Sequence, residues 1–262
     1  MADYVRSVVR SLRILKYLSE EGSERNLSSI ALAAELPNST THRLLTTMET
    51  EKFVQFDAIQ AQWQVGVGAF SVGSQFGQGR DLILLSKKYL RRLSTITGET
   101  CNIYIENNGV MVCLSQVESK HNIRAITKVG GAINIHCSAA GKAVMAYRDR
   151  STVKAVLMAH GMEKLTKNTI TDATQFISSL DEVAQKGFSF DLEENVEGLS
   201  CISAPIFNEY GKAVYAVSIS GPSTRFKEID MIQVSVSLLS IANDITTEYG
   251  GKKRSGEINK TS

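Results

Sequence analysis

The sequence predicts an α+β protein in two parts: an N-terminal winged helix-turn-helix, then a larger C-terminal α/β domain, joined by a helical linker. Three observations predict it. Apolar residues in the first ~75 positions recur at spacings of three and four, the helical period. Beyond about Cys101 the spacing becomes two, the period of strands, in CNIYIENNGVMVCLSQVE and again in CISAPIFNEYGKAVYAVSISG. Breakers fall between these segments, as Pro37 and as Asn107-Asn108-Gly109, a strong hairpin signal.

In the first helix Val5, Val8, Leu12, Leu15 and Leu18 form one apolar stripe, and Arg6, Arg10, Arg13 and Lys16 form a basic stripe of the same period. Glu20, Glu21 and Gly22 end it. Ser28 or Ser29 is placed to cap a short Ala-rich helix, Ile30 to Leu36. After Pro37, with Asn38 and Ser39 as cap candidates, a third helix runs to about Glu51 and buries Leu44, Leu45 and Met48. Alternation in Phe53–Phe56 and Trp63–Val65 gives two short strands and a turn. This order of elements fits a winged helix-turn-helix, in which the N-terminal residues of the third helix meet base edges and phosphates in the major groove. Those residues are Asn38, Ser39, Thr40, Thr41, His42 and Arg43, short donors and acceptors followed by a cation. An ordinary three-helix bundle with a Ser/Thr-rich cap fits the periodicity equally. Charge does not separate the two, because residues 1–75 hold seven Lys/Arg against eight Asp/Glu. DNA binding then needs a local basic patch, doubled by a dimer. The basic stripe is open to two readings, contact with a DNA backbone or a solvated face.

From about Val67 to Leu93 the pattern is helical and interrupted by Gly68, Gly73, Gly77 and Gly79. The boundaries expected are 1–66 for the winged unit, 67–93 for the linker, 94–250 for the larger domain and 251–262 for a disordered polar tail. Within the larger domain IRAITKVG reads as a strand and AAGKAVMAYR as the start of a helix. Phe176 to Lys186 reads as a helix closed by Gly187, and the second hairpin turns at Glu209-Tyr210-Gly211. Ile229 to Tyr249 is a long closing helix.

Composition narrows the class. With 262 residues, 43% hydrophobic and 21% charged, the chain has the profile of a water-soluble globular protein. No apolar run approaches the ~18–20 residues of a membrane span. The first residues, interrupted by Arg10, Arg13 and Lys16, do not make a signal peptide. Cys101, Cys113, Cys137 and Cys201 are scattered without a CxxC pair, which fits reduced thiols in cytoplasm and no zinc knuckle. No cofactor and no metal are expected. The net charge of +2 implies no nucleic-acid partner by itself.

The chain resembles the IclR family of bacterial transcription regulators over about Val5 to Gly250. LPNSTTHRLLTTME is similar to the family's recognition-helix segment, and Trp63-Gln64-Val65-Gly66 sits at the end of its second wing strand. VGGAINIHCSAAGKAVMAY, GFSFDLEENVEGLSCISAPIF, NEYGKAVYAVSISGPSTRF and the closing helix follow in the family's order. The resemblance implies a GAF-like α/β effector-binding domain and dimers or tetramers on a double-stranded DNA operator. It also implies control of a catabolic operon by a small effector, a carboxylate or sugar acid. Carried over residue by residue, it implies a site made of Ala139 and Ala140, through their backbone amides, with Asp191, Cys201, Ser218 and Ser220. Positions 218 and 220 share one strand face, and the set suits an oxygen-rich ligand.

The sequence departs from the family's pattern at Glu35 and Lys52, where the family has glycine on either side of the recognition helix, and at Asn134, where it has proline. If the backbone there needs positive φ, Glu35 and Lys52 carry strain. The alternative reading is a thiol-based reductase on a GAF-like domain, using Cys201 or Cys137. It needs a depressed thiol pKa and normally a resolving cysteine. A metal sensor has enough His and Cys, but none at ligand spacing.

Overall fold

The computed structural model describes residues 4–20, 25–78, 81–122, 125 and 128–252. The expected tail therefore lies outside the described residues from 253 onward, as do Glu21 and Gly22 at the end of the first helix. The chain divides into two compact units, Met1–Arg80 and Asp81–Ser262.

The smaller unit runs α1 (Arg6–Ser19), α2 (Leu27–Ala33), α3 (Asn38–Thr50), β1 (Val54–Asp57), β2 (Gln62–Val65) and α4 (Val67–Gln78). Ile14, Leu18, Ile30, Ala34, Leu45, Met48, Val54 and Trp63 form its core. Only the C-terminal half of the α1 stripe is used. Ile14 and Leu18 are buried, while Val5, Val8 and Leu12 are each more than half exposed, because α2 and α3 reach only the last turns of α1. The cap of α2 is Asn26, whose side chain accepts from the Ser29 amide at 2.9 Å, rather than Ser28 or Ser29. Pro37 starts α3 without a side-chain cap.

Both turns around α3 have the same construction. After α2 the Leu36 amide donates to Ala31 O at 2.9 Å and the Glu35 amide to Leu32 O at 3.1 Å. After α3 the Phe53 amide donates to Met48 O and the Lys52 amide to Glu49 O, both at 2.8 Å. These are Schellman closures, which place the residue after the cap in the left-handed region. Glu35 has φ +55° and Lys52 φ +62°, so both side chains sit where glycine is favoured.

The larger unit carries one antiparallel sheet in the order β5-β4-β3-β8-β7-β6. Its strands are β3 (Thr100–Asn107), β4 (Val110–Val117), β5 (Ala132–Asn134), β6 (Ser189–Leu192), β7 (Leu199–Phe207) and β8 (Ala213–Pro222). The β3–β4 turn is two residues, Asn108 at φ +49° and Gly109 at φ +83°, the left-handed pair of a type I′ hairpin. On one sheet face α5 (Asp81–Thr97) and α10 (Met231–Glu248) bury Leu82, Leu90, Leu93, Leu238 and Ile241 against Ile103, Ile202, Val217 and Ile219. On the other lie α6 (Ala139–Met145), α7 (Arg150–His160) and α8 (Ala173–Lys186), packed through Val144, Leu157, Phe176 and Leu180 onto Tyr104 and Ala216. A short α9 (Ser223–Phe226) links β8 to α10.

The strand expected over IRAITKVG is not seen in its described part. Residues 123, 124, 126 and 127 lie outside the described residues, and Val129 and Gly130 form a turn. Gly130, at φ +87°, and Gly131 bend the chain so that pairing with β4 begins at Ala132. At the end of β8, Gly221 leaves room for the buried Glu99 carboxylate, since a Cβ there would stand 2.5 Å from its Oε2. Arg225 grips that carboxylate with Nε and Nη2 at 2.5 and 2.8 Å.

Candidate functional site

The smaller unit presents α3. Asn38, Ser39, His42 and Arg43 are exposed and Thr40 is half-buried. Thr41 is fully buried and its hydroxyl donates to the Pro37 carbonyl at 3.2 Å, so its side chain packs the helix start and is not offered to a ligand. Ser39, His42, Arg43 and Thr46 stand at the three- and four-residue spacing of a single helix face. Beside the α2–α3 turn, Arg6, Arg10 and Arg13 line a groove of about 440 Å³ with Tyr4, Val9 and Leu36. Among the described residues, the acid lining it is Glu35, paired with Arg13 at 3.7 Å.

In the larger unit the strand register builds two polar rows on the sheet face that carries α6. Asp191, Cys201, Ser220 and Thr100 stand directly opposite one another across β6, β7, β8 and β3. Ser189, Ser203, Ser218, Asn102 and Gln116 make the second row, across β6, β7, β8, β3 and β4. Most of these side chains are buried, which is costly for polar groups unless something meets them.

The first turn of α6 stands over these rows. Ser138 caps it, accepting from the Gly141 amide at 3.1 Å. Gly141 lets the helix touch backbone to backbone, because a Cβ there would lie 2.3 Å from the Ile135 carbonyl oxygen. The Lys142 amide is the first to reach a helical carbonyl, Ser138 O at 3.1 Å, so the amides of Ala139 and Ala140 precede the helix's own ladder.

Between helix and sheet lies a cavity of about 30 Å³, the room of about one water molecule. All six residues expected from the sequence, Ala139, Ala140, Asp191, Cys201, Ser218 and Ser220, line it. Tyr104, Ile133, Ser138, Asn195 and Leu199 line it too and were not anticipated. Tyr104 has a signal in the strand alternation and Ser138 in its place before the AAGK turn. Asn195 has none, because it arrives on the loop after β6.

That loop is firmly held. The amides of Glu194 and Asn195 donate to Asp191 Oδ1 at 2.7 and 3.4 Å. Thr166 and Thr169 hydroxyls donate to the carbonyls of Glu193 and Glu194 at 2.6 and 2.7 Å. The Lys142 ammonium, buried in α6, pairs with Glu194 at 2.5 Å. Burial is the main influence on Asp191 and raises its pKa to about 6, aided by the Glu194 charge and opposed by the two amides and Lys142.

The thiols are in the opposite condition to that needed for redox chemistry. Burial pushes Cys113, Cys137 and Cys201 up to about 12, and raises Cys101 further still. Thiolate is therefore scarce at neutral pH, contrary to what a reductase needs. Among the described residues no group of three or more His, Cys, Asp or Glu is placed to hold a metal. No described helix is long and apolar enough to cross a membrane.

A helix-turn-helix head and a sheet domain with a polar cavity define the class of two-part transcription regulators. The chain belongs to the IclR family. Residues 7–58 match the IclR helix-turn-helix domain and residues 75–247 match the domain described as bacterial transcriptional regulator IclR C-terminal. The HTH-type transcriptional repressor AllR of Escherichia coli K12 is 33% identical over 94% of this chain and 91% of its own length. The transcriptional repressor IclR of the same organism is 34% identical over 95% and 92%. Among solved structures, an IclR homolog of Microbacterium hydrocarbonoxydans, complexed with 4-hydroxybenzoate, shares the fold with a TM-score of 0.82. It is 18% identical over 93% of this chain and 98% of that one.

Proposed function

We propose that the chain is a repressor of a catabolic operon, released or retained by a small oxygen-rich effector, a carboxylate or sugar acid. The observation that carries this reading is the cavity, where two seryl hydroxyls, a thiol, an acid and the first-turn amides converge from four elements. The repressor names of the relatives at 33 and 34% identity support the sign of regulation. The Microbacterium homolog, holding an aromatic acid, supports the ligand class.

In this reading Asn38, Ser39, Thr40, His42 and Arg43 meet the operator, and Arg43 binds a phosphate or a guanine. The protein acts in the cytoplasm as a dimer or tetramer on a near-palindromic site. We keep the division into 1–66, 67–93, 94–250 and a tail as the domain map, with the stretch from Asp81 to Leu93, part of α5, packed into the core of the larger unit. A cavity of one water's volume is too small for any organic acid, so effector binding and expansion of the cavity are a single event. The ligand selects a state in which residues lining the cavity have moved apart, and the free energy of that selection is what regulation has to draw on.

The test pairs a variant with an assay. Arg43→Ala weakens operator binding in a gel shift by about tenfold or more, the loss of one charge-assisted contact, with unchanged thermal stability. Ser218→Ala keeps operator binding and loses the effector response. Unchanged operator binding in the first, or an unchanged effector dose–response in the second, refutes that half of the reading.

A further inference from the structure

We propose that the effector site has a second polar compartment, centred on Asn102, that reads a group able both to donate and to accept hydrogen bonds. The inference rests on the effector-cavity reading above and deepens it. Asn102 lies on the central strand β3, is completely buried, and has no partner for either its Oδ1 or its Nδ2. It stands directly opposite Ser218 on β8, which lines the cavity, and two residues before Tyr104, which lines it as well. Residues two apart on a strand, and residues opposite across antiparallel strands, share a sheet face. The Asn102 amide therefore faces the same side as the cavity, one strand beyond it.

Two other members of the row have unmet polar atoms. Ser203 Oγ on β7 and Gln116 Nε2 on β4 are also buried without partners. By contrast, two serines of the row are met: the Ser189 hydroxyl donates to Ala139 O at 2.5 Å and Ser218 to Ile202 O at 3.4 Å. Unmet groups thus stand at Ser203, between the two met serines, and side by side at Asn102 and Gln116, where the row runs away from the Asp191 end. A buried amide with both functions empty costs more than an apolar side chain of the same shape. Nothing in the packing of β3 requires that cost, since its other face already supplies the core with Cys101 and Ile103. A ligand that fills both functions removes it.

The chemistry of that ligand follows. One head, a carboxylate, takes the Ser218–Ser220–Cys201 end. The other head lies about one strand spacing away, ~4.8 Å, within reach along a chain of about four carbons. An amide or ureido group complements Asn102 best, its N–H donating to Oδ1 and its carbonyl accepting from Nδ2.

Direct binding to the full-length protein tests this with three named probes: succinamate, which has both heads, butyrate, which lacks the second, and succinate, whose second head only accepts. Wild-type protein is expected to bind succinamate at least tenfold more tightly than butyrate, with succinate between, and Asn102→Leu to abolish the difference while binding butyrate as before. Asn102→Leu should also be at least as thermally stable as the parent, because it removes unmet polar atoms. If that variant fails to fold, Asn102→Ser is expected to show the same loss of preference. Equal affinities of wild type for succinamate and butyrate, or a preference that survives both substitutions, overturn the second compartment alone. Failure of all three acids to bind wild type overturns the small-acid reading of the cavity, and the compartment with it.

Discussion

Replacing Asp191 by asparagine is expected to make the larger unit more stable at alkaline pH and no more stable at acid pH. Burial raises the Asp191 carboxyl from 3.8 to about 6. The folded state therefore holds this proton more tightly than the unfolded state. Stability from this position is fully present below pH 3.8 and is lost as pH rises through about 6. The gap corresponds to about 3 kcal/mol at pH 8, taking 1.36 kcal/mol for each tenfold. In Asp191→Asn the side-chain oxygen still accepts from the amides of Glu194 and Asn195, so the loop after β6 keeps its anchor. Urea unfolding of the full-length protein at pH 5, 6, 7 and 8, followed by tyrosine absorbance, measures the difference. The single tryptophan, Trp63, lies in the core of the smaller unit, and its fluorescence is an internal control that should not change. The same substitution should flatten the pH dependence of acid binding, because an ionised Asp191 repels an effector carboxylate and a protonated one donates to it. A variant less stable than the parent at pH 8, or a gain as large at pH 5 as at pH 8, refutes the burial argument.

Other perturbations have equally definite outcomes. Gly141→Ala drives a Cβ into the Ile135 backbone, which cannot give way as a flexible side chain would, and should cost about 2–3 kcal/mol in chemical unfolding. A loss under half of that would mean α6 moves freely on the sheet. Lys52→Gly, at φ +62°, should gain roughly 1 kcal/mol by releasing left-handed strain, seen as a higher midpoint in the Trp63 transition. A lower midpoint would show that this turn is not strained. The four cysteines should react with a disulfide reagent at pH 8 only after unfolding, since burial raises the pKa of every thiol. Fast labelling of Cys201 in the native protein would contradict that.

Local chemistry was readable in the sequence wherever one segment decides its own structure. Asn108-Gly109 announces its turn because few other pairs tolerate two left-handed residues. Pro37 announces the start of α3, and the alternation of Ser218 and Ser220 announces a shared face. The misreadings that bear on the two sites share a cause, dependence on distant partners. Nothing local tells that α1 is covered only from Ile14 onward, or that Thr41 turns inward while His42 and Arg43 turn out. Asn102 is the sharpest case. Within CNIYIEN it is an unremarkable polar residue on a strand. It matters only because the register sets it against Ser218, 116 positions away along the chain. Asn195 reaches the cavity through a loop tied by Thr166 and Thr169, another contact invisible to periodicity.

The clamp of Glu99, Gly221 and Arg225 has an evolutionary consequence. The carboxylate occupies the volume that any side chain at position 221 would need, and among the described residues its charge is balanced by the guanidinium at 225. A side chain at 221 collides with the acid, loss of the arginine strands a buried charge, and loss of the acid frees the arginine and opens a void. Each single step is penalised, whereas a joint replacement of all three by neutral, space-filling residues is not. The three sites therefore form an epistatic unit, and drift in this corner of the protein should occur by linked changes or not at all.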